Sequence, residues 1–235
     1  AAAYLMLAAD GYLYFRAMPE GSVANPVPVA GLVAWAMFTV LFSAYYLTLF
    51  FEPQRLRAAL FPFAVAAGFL ALATTGLAYL PPGDKWYGAP FLVVPLLAGA
   101  ALTGASVNGM LLGHWYLIDS GLEIEPLRKM LTFCRRCLKV EIAVVVLGVV
   151  AAAAWPDSPW RAAVTEMFSG GLLSWLALAR VAAWALAALT LALAARALAI
   201  PHTMAATGLF YIEALAVCVG QIIAHWLLFR TGLAL

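Results

Sequence analysis

Long apolar stretches alternate along this chain with short segments rich in proline, glycine and charge. A membrane-spanning helix needs about 20 apolar residues, rising about 1.5 Å each. On that rule the pattern predicts seven helices, over 1–17, 27–51, 58–80, 91–118, 129–155, 172–200 and 203–230. The separators are turn formers: Glu52-Pro53-Gln54, Pro81-Pro82-Gly83-Asp84, Pro156-Asp157-Ser158-Pro159 and Pro201. Residues 160–168 are amphipathic and suit a short segment lying flat at a membrane surface. The first run is interrupted by Asp10, but Tyr4, Tyr12, Tyr14 and Phe15 suit a bundle helix better than the remnant of a signal sequence. The expected fold is therefore an all-α integral membrane protein, one transmembrane helical domain over 1–235.

Composition strengthens this reading. The chain is 66% hydrophobic and 10% charged, where a soluble domain carries about 25% charged residues. Water is then the solvent for the loops alone, and the lipid bilayer is the first expected partner. A net charge of +2 is too small and too localised to suggest nucleic acid. Three cysteines provide no disulfide framework. Cys134 and Cys137 supply two thiolates, whereas a closed structural zinc site takes four ligands, so no metal site is expected.

Lysine and arginine set the expected orientation. The loops after the second, fourth and sixth helices hold Arg55, Arg57, Arg128, Lys129, Arg135, Arg136, Lys139 and Arg196, against Arg16, Lys85, Arg161 and Arg230 on the other side. The imbalance places the amino terminus in the cytoplasm and the carboxyl terminus outside, in a bacterial inner membrane. The cluster from Arg128 to Lys139 is the expected site for lipid or for partner subunits.

A motif recurs 111 positions apart. Gly109, His114, Trp115, Leu117, Gly121 and Leu122 match Gly220, His225, Trp226, Leu228, Gly232 and Leu233. An offset of three helices makes the two halves antiparallel, an inverted 3+3 repeat preceded by one amino-terminal helix. Coincidence at two interfacial helix ends is the competing explanation.

Ionisable groups at membrane depth are functional candidates, since leaving them unpaired in lipid is expensive. Asp10, Arg180 and Glu213 qualify, with Asn108 and Gln221 as polar company. Arg180 and Glu213 fall at similar depths on consecutive helices, which predicts an ion pair between them, or of Arg180 with Asp10 if the first helix packs between them. The histidines suggest a second chemistry. His114 with Trp115 and Tyr116, His225 with Trp226, and His202 are expected to contact haem b, quinone or a pigment. Bis-histidine haem ligation needs both imidazoles at one depth, which the predicted topology grants only to His114 and His202. A retinal Schiff base would need a lysine in the last helix, and no lysine follows Lys139.

Three functions follow as expectations. The first is a subunit of a respiratory or light-driven electron-transfer assembly, not a catalyst by itself, that anchors other subunits and contacts a cofactor near His114 and His225. The alternatives are a small secondary transporter with a midplane site at Arg180 and Glu213, and a purely structural membrane subunit.

Overall fold

A computed structural model describes residues 26–51, 54–80, 88–119, 121–155, 158, 160–200 and 202–234. Among them the chain is all helical. The elements are α1 (Pro26–Phe51), α2 (Gln54–Ala78), α3 (Ala89–Ile118), α4 (Glu125–Ala154), α5 (Arg161–Met167), α6 (Leu172–Ala199) and α7 (Thr203–Thr231). All but α5 are long and apolar enough to cross a membrane, as the helices of a multi-pass membrane protein are. The expected helix over 1–17, and Asp10 with it, lie outside the described residues.

Helix boundaries follow local chemistry. Helix α4 begins at Glu125, four residues before its expected start, because Pro126 has no N–H to satisfy and suits a first turn. Charge had argued for a later start, yet charged side chains are compatible with helix wherever they can reach water. Helix α2 likewise begins at Gln54 rather than 58. Helix α7 ends on Gly232, whose left-handed conformation (φ 68°) lets its N–H reach Leu228 O at 2.8 Å.

The helices form two compact units that divide between residues 80 and 81. That boundary cuts through the first of the two three-helix repeats that the 111-residue offset implies.

In the first unit, α1 and α2 form an antiparallel hairpin. The ring of Phe38 lies against Gly68, where a Cβ would come within 3.1 Å of it. Trp35 Nε1 donates to Thr75 Oγ1 at 2.9 Å. Ala34, Ala64, Ala67 and Ala71 fill the seam. Small residues permit this close approach, which is how helices associate where lipid removes the hydrophobic drive.

In the second unit, α4 shows the clearest packing pattern. Its buried residues are Leu127, Leu131, Cys134, Leu138, Glu141, Val145, Gly148 and Ala152. The steps alternate four and three, the spacing that keeps one seam of a helix against its neighbours. Helix α3 meets α7 antiparallel through Gly99, Gly109 and Gly113, which face Gln221, Phe210 and Thr207. Thr207 Oγ1 donates to Gly113 O at 3.0 Å. The segment expected to lie flat forms α5, which folds onto its own unit. Trp160, Val164 and Met167 are buried, and Trp160 Nε1 donates to Gly232 O at 2.9 Å.

Candidate functional site

Among the described residues, the second unit buries three charged side chains, one on each of three helices: Glu141 on α4, Arg180 on α6 and Glu213 on α7. Glu141 is 1% exposed and Arg180 2%. Glu141 stands about 24 Å along α4 from Glu125 and about 20 Å from Ala154, near mid-membrane for a helix that crosses it.

Arg180 Nη2 and Glu141 Oε1 form an ion pair. Gln221 Nε2 donates to the same oxygen at 2.5 Å. The guanidinium also lies over the Trp184 ring, 4.7 Å from its centroid. Two glycines make room for these long side chains. A Cβ on Gly220 would stand 2.6 Å from Arg180 Nη1, and a Cβ on Gly99 would stand 2.6 Å from Gln221 Oε1. Glu141 Oε2, Arg180 Nε and Nη1, and Trp184 Nε1 have no hydrogen-bond partner among the described residues. A cleft of about 10 Å³ adjoins the cluster, lined in part by Glu141, Gln221 and His225. That is room for about one water molecule.

Glu213 forms a second centre. Ser106 Oγ donates to its Oε1 at 2.7 Å, and both residues are fully buried. Its Oε2 has no partner among the described residues. Glu213 and Gln221 are eight residues apart on α7, so the two centres lie about 12 Å apart along the unit.

This arrangement corrects the expected ion pair. Arg180 is matched by Glu141, not Glu213, because α4 packs against α6 with Glu141 on its buried seam. Glu141 was missed because it follows Lys139 by two residues and reads as the tail of a basic cluster. The signal that marks it is the four-three spacing of the seam, in which Glu141 takes a core position. Asn108 departs from expectation as well: it is exposed and donates to Gly104 O one turn back at 2.7 Å. Gln221 is half-buried and engaged with Glu141.

His114 and His225 are not brought together. The antiparallel contacts of α3 with α7 put His114 at one end of the unit and His225 toward the other, which excludes one haem between them. His114 is exposed and its Nδ1 is hydrogen-bonded with Tyr211 Oη at 2.9 Å. Trp115 beside it is 61% exposed. Tyr116 is buried, and its hydroxyl donates to Glu123 O, stapling the turn between α3 and α4. His202 is the exposed residue before α7, at the His114 end. His225 is exposed, and its Nδ1 is 2.8 Å from Gln221 O on its own helix. Trp226 sits under the Arg230 guanidinium, 5.7 Å from ring centroid to Cζ. Arg128, Lys129, Arg135, Arg136 and Lys139 are all exposed along α4. No protein family, no curated protein and no solved structure matches the chain.

Proposed function

We propose that residues 89–231 form a proton-transfer unit of a multi-pass membrane protein, with Glu141 and Glu213 as its two proton-accepting groups. One observation carries this reading: among the described residues, two buried carboxylates stand against a single buried guanidinium. Ionising both leaves a net negative charge far from water, which is expensive. One shared proton restores neutrality and has two places to reside. Each carboxylate has an oxygen without a partner among the described residues, so either one can take up or release it.

Arg180 holds Glu141 in place and compensates its charge; Ser106 orients Glu213. The cleft beside Glu141 admits about one water, enough to hand on a proton and too small for a haem, a quinone ring or an organic solute. This keeps the transport reading in its simplest form and moves its site from Arg180 and Glu213 to Glu141, Arg180 and Glu213. A cofactor of an electron-transfer assembly would instead sit on the outer surfaces of His114 or His225. The lysine and arginine asymmetry supports a cytoplasmic His114 end.

The test is proton flux into vesicles loaded with a pH-sensitive dye, driven by a potassium diffusion potential. The wild type is expected to acidify the lumen faster than protein-free vesicles, and Glu141→Gln and Glu213→Gln are each expected to abolish the difference. A wild type no faster than empty vesicles, or a double variant as fast as the wild type, overturns the proposal.

A further inference from the structure

Helices α4 and α6 run antiparallel and are pinned together at two levels. Arg128 Nη2 donates to Leu198 O at 3.0 Å near the end of α6, and Arg180 pairs with Glu141 deeper in the unit. Between those levels α6 shows Val181, Leu186, Leu189 and Leu193 to the outside, an apolar face suited to lipid tails. Over the same interval α4 shows Arg128, Lys129, Arg135, Arg136 and Lys139. Its cations thus descend about 16 Å from the bundle end alongside a neighbour that is apolar on its outer side. Long cationic side chains reach back toward the headgroups by snorkelling, where anionic phosphates are available to pair with them.

The upper part of this face is shaped for one. An open groove of about 380 Å³ is lined by Glu125, Arg128, Lys129, Thr132, Phe133 and Arg136. It offers three cations against one carboxylate, and the Thr132 hydroxyl in its wall already donates to Arg128 O at 3.0 Å. Guanidinium groups match phosphate oxygens with paired N–H donors. Phe133 in the groove is exposed, and below it the outer face continues apolar with Val140, Leu147 and Val150 exposed. Charge at the bundle end and hydrocarbon beneath it, on one side of one helix, repeat the profile of a phospholipid.

We infer that the outer face of α4 binds the headgroup of an anionic phospholipid, with Lys129 and Arg136 on the phosphate, Arg128 beside them, and the acyl chains along Phe133 and Val140. The site is independent of the buried carboxylates, so it stands or falls apart from the proton-transfer reading.

Native mass spectrometry of the full chain in detergent, titrated with phosphatidylglycerol or phosphatidylcholine of identical acyl chains, tests it. Three cations near a headgroup predict a preference for phosphatidylglycerol on the order of tenfold to a hundredfold. Lys129→Gln with Arg136→Gln should lose most of that preference, while Lys129→Arg with Arg136→Lys should retain it. Unchanged helical circular dichroism in both double variants separates loss of the site from loss of the fold. Equal binding of the two lipids by the wild type overturns the inference and leaves this face to an acidic protein partner. Full preference in the glutamine variant overturns it as well.

Discussion

Arg180 reaches back 39 positions to Glu141 and does not pair with Glu213 on the helix that follows it. The choice of partner sets the charge pattern of the whole unit. With Arg180 committed to Glu141, Glu213 has a serine for company and no cation among the described residues, and the two carboxylates become unequal. One is charge-compensated and next to a cleft; the other is enclosed.

Breaking the pair from one side should be costly. Arg180→Leu or Glu141→Leu leaves an uncompensated buried charge, worth about 3–5 kcal/mol. The double variant, with both removed, should recover most of that loss. Thermal melting in detergent, followed by retention on size exclusion, reads the three variants. A double variant no more stable than the singles would show that Arg180 is held by something other than Glu141.

Alanine at the two glycines of the site should be costly to the extent that the side chains it meets, Arg180 and Gln221, are pinned by their contacts with Glu141. Gly220→Ala drives a methyl into the Arg180 guanidinium, and Gly99→Ala drives one into the Gln221 amide. Both should lower the melting temperature. Gly148 and Gly208 have nothing within 4 Å of a built Cβ, so alanine there should be neutral or stabilise by about 0.5–1 kcal/mol through lost backbone freedom in the unfolded chain.

The serine contact should matter in proportion to its burial. Ser106→Ala strips Glu213 of its hydrogen-bond donor in a fully buried site, at a cost of about 1–3 kcal/mol. Ser106→Ala combined with Glu213→Gln should cost less than the sum of the two changes, since each removes the same contact. Additive effects measured by thermal melting would mean that the two side chains do not interact.

The two His-Trp motifs should behave differently. His225 lines the cleft that leads to Glu141, so His225→Ala should slow dye-detected proton flux several-fold. His114 is exposed and hydrogen-bonded with Tyr211, away from the cleft, and His114→Ala should leave flux within about twofold of the wild type, on the reasoning that proton relays depend on groups in reach of one another. The absorption spectrum of the purified protein is expected to lack a Soret band; its presence, with loss in either histidine variant, would return the histidines to a cofactor role.

The spans themselves were legible in the chain, because a segment surrounded by lipid must be apolar for its whole length and must satisfy every backbone group internally. Composition, prolines and run length therefore located all six long helices to within a few residues. The polar candidates Arg180, Glu213 and Gln221 were legible too, since polar groups stand out within an apolar run. Glu141 was not, because a carboxylate two residues from Lys139 looks like part of a hydrated end until its position on the buried seam is known. Pairing was equally hidden. Helical depth says which residues are level with one another, but a side chain meets only what the neighbouring helix turns toward it. Which helices are neighbours, and by which faces, is decided by the fit of glycines against Phe210, Thr207, Gln221 and Arg180. That fit joins residues up to 122 positions apart, as Gly99 and Gln221 are, and no local pattern records it. The tertiary structure thus moved the centre of interest from three exposed histidines to two buried carboxylates and one arginine.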